Sequence, residues 1–418
     1  MNEPAPVGPT CDLAICGGGM VGATLALALA PLDLSIVLIE AAAPDAAEPP
    51  SFDERTTALA NGSVRTYRAL GVWRDMEREA TPIRRIHVSE QGRFGVARID
   101  ASDEGMDALG YVISNRAIGA ALWPAIGSQP RIRLLAPARV TDTSNEGGTR
   151  SLEIETGTGP MRLDARLVIA ADGARSLLRE RAGIPAEHWD YGQTAIVATL
   201  TTQRFHDHVA YERFTPHGPL AMLPLADGRC GLVWTRAPEE SARLIALPDA
   251  AFLAELQEAF GLRLGRLLSV GRRQGYELAL TRAERHTAPR LAIVGNAAQG
   301  LHPIAGQGFN LGLRDAASLA EVLAEALAAG GIDPGSEAIL DAYAAWRAED
   351  RRRIVGFTDG LVRLFGTPLG VVRNLRGLGL VAFDVLPSAK SALSRLSVGA
   401  AGRIPRLARG VALPLRPV

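Results

Sequence analysis

Apolar residues along this chain follow two rhythms. Near the N-terminus, Asp12-Leu-Ala-Ile-Cys16 and Leu34-Ser-Ile-Val-Leu-Ile-Glu40 are short, nearly continuous apolar runs, which predict strands covered on both faces. Between them Gly17-Gly-Gly-Met-Val-Gly22 predicts a turn, and the small, helix-favouring residues Ala23 to Ala30 predict a helix. The same rhythm returns at Arg166 to Ala171, closed by Asp172-Gly173 and followed by a helix from about Ser176, and again at Arg290 to Asn296. From Ala297 a proline-stiffened, glycine-rich loop then feeds a long alanine- and leucine-rich helix. Strand, turn and helix repeating in this way predict an α/β fold around a parallel sheet.

The second rhythm is alternation. Between Tyr191 and Glu277 the chain breaks into Thr194–Thr202, His208–Phe214, Pro219–Leu225 and Cys230–Arg236, with Ala226-Asp-Gly-Arg229 as a hairpin turn. These segments, together with Ile83 to Ile99, predict an antiparallel sheet inserted into the first unit. The expected organisation is a discontinuous nucleotide-binding domain (residues 1–82, 105–186 and 278–345), an inserted substrate domain (83–104 and 187–277) and a C-terminal helical, basic segment (346–418). Tyr191, Tyr211, Met222 and Trp234 are candidates to face an apolar substrate on the inserted sheet; plain core packing is the competing reading.

The turn carries the chemistry. Gly17, Gly19 and Gly22 form G-x-G-x-x-G inside a β-α-β unit: the first permits the tight turn, the second admits a pyrophosphate to the backbone, and the third lets helix and strand meet. The helix beyond it offers unpaired N–H groups and a positive dipole end. Glu40 closes the second strand, where a carboxylate accepts both ribose hydroxyls and disfavours a 2′-phosphate. These features predict a dinucleotide site and leave NAD and FAD both open.

Composition narrows the class. With 47% apolar and 22% charged residues the chain is not disordered, and 45 basic against 45 acidic side chains do not suit a nucleic-acid binder. Three cysteines, two of them in or beside an apolar run, fit buried thiols in a reducing cytoplasm. Leu13 to Ala30 contains four glycines and lacks a basic flank, so it reads as neither signal peptide nor membrane span. The chain has no H-E-x-x-H, Cys-x-x-Cys or Gly-x-Ser-x-Gly, so no metal ligand set is assigned. Charge is unevenly placed: residues 351–418 carry twelve Lys/Arg against two acids, leaving the remainder net acidic. This leucine- and arginine-rich stretch is expected either to lie on an anionic membrane surface or to dock on the body or another subunit.

Gly17 to Gly22 with Glu40, Arg166 to Ser176 with its Asp172-Gly173, and Gly295 to Asn310 occur in the order found in class A flavoprotein monooxygenases. The chain resembles that family, the FAD-dependent aromatic hydroxylases of the para-hydroxybenzoate hydroxylase type, over most of its length. Asp53-Glu-Arg-Thr-Thr-Ala-Leu59 and the Gly295–Asn310 segment resemble its ubiquinone-biosynthesis branch. The wider family generally has Asp where Asn296 stands and commonly His where Gln299 stands; the branch commonly carries this Asn.

The resemblance implies a Rossmann-like FAD-binding fold and hydroxylation of a polyprenylated phenol with O2 through a flavin C4a-hydroperoxide. It implies 2-polyprenyl-6-methoxyphenol as the ring, with another ring position, a soluble aromatic or a flavin-binding assembly subunit as alternatives. A second G-x-G-x-x-G after a strand is missing, so no dedicated NAD(P)H domain is expected, and the resemblance implies NAD(P)H as a transient reductant. By position, Gly17, Gly19, Gly22 and Glu40 hold the ADP half of FAD. Arg55 and Arg116 lie along the cofactor, unless they are ordinary surface ion-pair residues. Asp172 and Gly173 meet FAD and the pyridine nucleotide, or Asp172 only caps a helix. Asn296 meets the ribityl or phosphate groups, while Pro303, Gly306, Gln307, Gly308 and Asn310 line the flavin ring. His302 is read as structural, Asp315 as making local pairs, and no side chain is assigned as catalytic because the flavin carries the chemistry. A cytoplasmic protein, attached peripherally to the inner face of the membrane or to a biosynthetic complex, is the expected setting.

Overall fold

The computed structural model describes residues 10–43, 51–53, 55–93, 95–300, 307–331, 333–366 and 402–415. In chain order it opens with β1 (Thr10–Cys16), α1 (Met20–Leu29), β2 (Ile36–Ile39), β3 (Thr56–Ala60), α2 (Asn61–Ala69), α3 (Trp73–Met76) and β4 (Thr81–Ile83). There follow β5 (Arg85–Glu90), β6 (Val96–Asp100), β7 (Gly110–Ser114), α4 (Asn115–Gly127), β8 (Ile132–Leu135), β9 (Ala138–Glu146), β10 (Thr149–Thr156), β11 (Gly159–Ala170) and α5 (Leu177–Arg181). The central part holds β12 (Ala186–Thr202), β13 (Val209–Thr215), β14 (Gly218–Pro224), β15 (Arg229–Arg236), α6 (Pro238–Ala246), α7 (Asp249–Phe260), β16 (Leu267–Val270) and β17 (Gln274–Ala283). The chain closes with β18 (Thr287–Ala288), β19 (Leu291–Ile293), β20 (Gln299–Gly300), α8 (Gln307–Ala328) and α9 (Glu337–Gly366).

The apolar runs pair as parallel strands. Leu13 to Cys16 lies beside Ile36 to Ile39 on one flank and Leu167 to Ala170 on the other, and Val168 to Ala170 lies in turn beside Leu291 to Ile293. The path β18-β19-β11-β1-β2-β8 thus ends its central strands at one edge, where ligands gather in open α/β sheets. Helices α1, α4 and α8 and part of α9 cover one face, with Leu25, Leu29, Ile118, Leu319 and Tyr343 in one core cluster.

The alternating segments form a second sheet, β20-β17-β12-β15-β14-β13-β5-β6, in which β13 pairs with β5 in parallel. One face is covered by α6 and α7, through Leu244, Phe252, Leu256 and Phe260. The other turns toward a small sheet, β3-β7-β4. Strand β12 begins at Ala186, well before the alternation expected from Thr194. Its first half is largely exposed and held by backbone pairing to β17, so no apolar period announces it.

Helix α9 runs continuously through residues 345 and 346. Residues 402–415 fold back onto the body, with Leu407, Ala408 and Leu413 buried. Arg403 stacks on the Trp346 ring at 3.7 Å and faces Glu325 at 3.6 Å, while the Arg406 N–H donates to Glu321. For this stretch the docking alternative holds. Residues 367–401, which carry four of the twelve basic residues, lie outside the described residues. Among the described residues no helix is long and apolar enough to cross a membrane.

Candidate active site

The glycine turn is built where side chains would collide. Gly17 has φ of +107°, and a Cβ there would stand 2.3 Å from the Ala171 carbonyl oxygen at the end of β11. A Cβ on Gly22 would stand 1.9 Å from the Gly17 oxygen, so helix and turn touch through bare backbone. Gly19 is the N-cap of α1 and brings no side chain to it, which leaves the first-turn N–H groups to an outside acceptor. The helix starts at Met20, three residues earlier than its alanines suggest, because it rises directly from this cap.

Glu40 lies beside the turn. One carboxylate oxygen accepts the Gly18 N–H at 2.6 Å and the other the Ala42 N–H at 2.8 Å, which aims the group along the carboxyl edge of the sheet. Trp123 of α4 closes this corner: a Cβ on Gly18 would meet its ring at 2.7 Å. Its contribution was not legible in the sequence, since a lone tryptophan in an apolar helix looks like core.

At the end of β11, Ser176 caps α5 by accepting the Arg179 N–H at 3.1 Å. Asp172 accepts the Leu178 N–H at 3.3 Å, so it supports the same turn without being its N-cap. Burial raises its carboxyl above the usual range despite the Ser176 and Leu178 hydrogen bonds, and its Oδ1 is buried with no hydrogen-bond partner among the described residues. An orphaned buried oxygen beside Gly173, whose φ is +88°, fits a ligand that brings a donor. Arg179, which the sequence analysis did not select, ties the two neighbouring loops together: one guanidinium nitrogen donates to the Ala174 and Ala297 carbonyls at 3.0 and 2.9 Å.

The end of β19 is tied down from beneath. Gly295 has φ of +60°, and its N–H donates to Asp315 at 3.0 Å; Gln299 donates to the same oxygen at 2.9 Å. Asn296 stands exposed on this edge. Asp315 does not make the local pair expected of it. Its other oxygen takes the Arg347 guanidinium at 2.7 Å, and Arg347 in turn meets Asp350, which also binds Arg314. All four charges are buried. Neighbours in a helical sequence point apart, so Asp315 reaches across to α9 and not to Arg314.

Pro303, Gly306 and His302 lie outside the described residues. Gln307 and Gly308 open α8. The Asn310 side chain is engaged with β3 and α2: its oxygen accepts from the Ala60 N–H at 2.8 Å and the Ser63 hydroxyl at 2.7 Å, and its amide donates to the Ala58 carbonyl at 2.9 Å. Arg55 bonds Asp53 at 2.6 Å and lies over the Tyr276 ring at 5.0 Å, spanning the two sheets. Arg116 pairs with Glu79 at 2.9 Å, both about half exposed.

On the inserted sheet the core reading holds for three of the four candidates. Tyr211, Met222 and Trp234 point to α6 and α7 in the core cluster of that side, with Tyr211 edge-on to Phe260 and Trp234 edge-on to Phe252. Their strand neighbours Glu212, Ala221 and Val233 therefore face the first domain. Ala210 packs with Ile83, Val112, Leu223 and Leu225 on that side, and a Cβ on Gly231 would stand 3.4 Å from the Thr56 hydroxyl. Tyr191 sits at an irregularity between Asp190 and Gln193.

Comparison with known proteins agrees with this architecture. The model of the FAD binding domain family matches residues 10–358. The ubiquinone hydroxylase UbiL of Rhodospirillum rubrum is 40% identical over 99% of this chain and 97% of its own length. The 3-demethoxyubiquinol 3-hydroxylase of Escherichia coli is 34% identical over 89% of this chain and 94% of its own. The crystal structure of p-nitrophenol 4-monooxygenase PnpA from Pseudomonas putida superposes with a TM-score of 0.78 over 95% of this chain and all of that one, at 17% identity, a likeness of fold.

Proposed function

The chain belongs to the FAD binding domain family of flavoprotein monooxygenases, and from that membership we propose that it hydroxylates a polyprenylated phenol during ubiquinone formation, with 2-polyprenyl-6-methoxyphenol as the ring. The observation that carries the reading is the glycine turn and Glu40 at the carboxyl edge of the parallel strands, joined to a second sheet whose inner rows are mostly apolar. Two relatives whose names describe hydroxylases of ubiquinone or its precursor, aligned over nearly their whole lengths, support it.

In this reading the residues present suit FAD. The N-terminus of α1 takes the pyrophosphate through N–H groups that no side chain caps, with Gly17, Gly19 and Gly22 keeping the backbone bare. Glu40 accepts the ribose hydroxyls. Asp172 and Gly173 provide the polar edge at the end of β11, and Asn296 the edge at the end of β19. That Pro303, Gly306, Gln307 and Gly308 line the flavin ring rests on the resemblance, and Asn310 ties the first turn of α8 to β3. Arg55 reaches from the start of β3 to the Tyr276 ring of β17, and Arg116 supports the loop through its N–H bond to the Asp53 carbonyl at 2.9 Å. When bound, the flavin supplies the activation of O2 after reduction by NAD(P)H. The protein orders the ring and keeps water away from it.

The purified protein is expected to be yellow and to consume O2 faster when a short-chain 2-prenylphenol is added. Flavin without such stimulation would mark an assembly subunit. The precursor that accumulates in a deletion strain identifies the ring position. Peripheral attachment through the basic stretch 351–401 belongs to the same proposal; replacing Arg373, Arg376, Lys390 and Arg395 by serine should lower flotation with anionic vesicles, and unchanged flotation would remove it.

A further inference from the structure

The strand registers define the inner face of the second sheet row by row. One row runs Gln274, Val197, Val233, Ala221, Glu212, Val88 and Ala97 across seven strands. The next, toward Thr56, runs Thr199, Gly231, Leu223, Ala210, Ile86 and Ile99. Glu212 is the single charged group in these rows, with Ala221 and Val88 directly beside it. It has no hydrogen-bond or ion-pair partner among the described residues, and the side chain is only partly covered. A bare carboxylate among apolar neighbours is unfavourable unless a proton or a donor joins it. Two strand spacings and one residue pair separate it from Gly231, about 12 Å in all, enough for one substituted aromatic ring.

We infer that Glu212 receives the phenolic hydroxyl of the bound ring and, by its negative charge, excludes rings that carry a carboxylate. The inference rests on the hydroxylase reading above and names the group that recognises its substrate. The step is a proton transfer alone: the phenolic O–H bond breaks, the proton passes to a Glu212 carboxyl oxygen and the electron pair stays on the phenolic oxygen. The ring thereby becomes richer in electrons where it is to be attacked.

Burial pushes the Glu212 carboxyl up to about 7. No charged neighbour adds to that rise. On the elements packed against this face, Arg55 lies over Tyr276, Tyr111 packs its ring on Trp73, and Glu90 stands one row farther along β5; His87, Tyr211 and Arg213 belong to the opposite face.

The test uses the FAD-loaded full-length protein, with 2-farnesylphenol, its O-methyl ether and 3-farnesyl-4-hydroxybenzoate as probes. The wild type should bind the neutral phenol at least 100-fold more tightly than the carboxylated ring, and its turnover should rise with pH along a limb whose midpoint lies near 7. Glu212→Gln should keep its flavin, bind the two rings within tenfold of each other, lose the pH-dependent limb and turn over roughly 100-fold or more slowly. The methyl ether, which has no proton to give, should show no such limb even with the wild type, so the idea remains exposed if the variant does not fold. A variant with unchanged discrimination and pH profile, or an ether with the same limb, overturns the role of Glu212 alone. A wild type that binds and hydroxylates no prenylphenol overturns the hydroxylase reading, and this inference with it.

Discussion

Arg347 donates to Asp315 at 2.7 Å with neither side chain exposed, and the same carboxylate holds the Gly295 N–H at 3.0 Å through its other oxygen. The pair therefore fixes the end of β19 from α9, and Asp350 and Arg314 complete a neutral buried set. Arg347→Met would leave Asp315 buried without its guanidinium and Asp350 with Arg314 alone. A loss of about 3–5 kcal/mol in chemical denaturation is expected, together with a fall in bound flavin. Full stability and full flavin in this variant would contradict the tether.

The glycines of the turn differ from glycines elsewhere in a measurable way. Gly22→Ala puts a carbon 1.9 Å from the Gly17 oxygen and should yield a protein largely without flavin, read from the absorbance ratio of the purified material. Gly71 also has positive φ, +78°, but a Cβ there meets nothing within 4 Å. Gly71→Ala should cost only about 1–2 kcal/mol and leave the flavin in place.

Glu40→Ala removes a carboxylate already shaped by Gly18 and Ala42. Deflavinated protein titrated with FAD in a calorimeter should show affinity weakened by about 10- to 100-fold, the worth of a charge-assisted hydrogen bond. ADP-ribose should bind the wild type and lose a similar factor. An unchanged ADP-ribose affinity would place the ribose elsewhere.

Glu212 also makes stability depend on pH, with a definite sign. Its folded carboxyl titrates near 7 against an ordinary value of 4.5, so between those values the folded state holds more protons than the unfolded one. Stability attributable to this group is full below pH 4 and is lost as pH rises through 7, by up to about 3 kcal/mol. Glu212→Gln should therefore be more stable than the wild type at pH 8 and nearly equal to it at pH 4, in paired urea melts. Parallel curves would show the carboxylate to be solvated.

Residues 402–415 are part of the core and not a loose end. Ending the chain at residue 401 uncovers the sites of Leu407 and Leu413, for an expected loss of about 3–6 kcal/mol. It also takes Arg403 from Trp346, whose fluorescence should change. A truncated protein as stable as the full chain would contradict this docking.

Much of this was legible because it depends on local rules. The first turn could be read from Gly17, Gly19, Gly22 and Glu40 alone, since the backbone there tolerates nothing larger and the acid closes a strand of fixed length. The inner face of the second sheet could not. Aromatic and sulfur side chains drew attention to Tyr211, Met222 and Trp234, yet a shift of one residue exchanges the faces of a strand, and only the packing of α6 and α7 decides which is covered. Glu212 looked like an ordinary polar residue in an alternating run. The buried set was hidden for a different reason: Asp315 and Arg347 lie on separate helices, and nothing in either helix announces the other. Asp172 was placed correctly at a strand end, but its cap belongs to Ser176, because the loop takes four further residues to turn.

The parallel pairing of β13 with β5 joins Val209 to Arg85 across more than a hundred residues of intervening chain. Closing so long a loop is slow and entropically costly, and it gives little return until the strands on both sides are already aligned. The nucleotide-holding sheet closes loops at least as long, since Leu13 pairs with Leu167 and Val168 with Leu291, so neither half is completed by local contacts alone. Both halves also need strands made late in synthesis, β19 for the first and β17 for the second, so ligand that joins the early glycine turn to the late strand end would speed maturation.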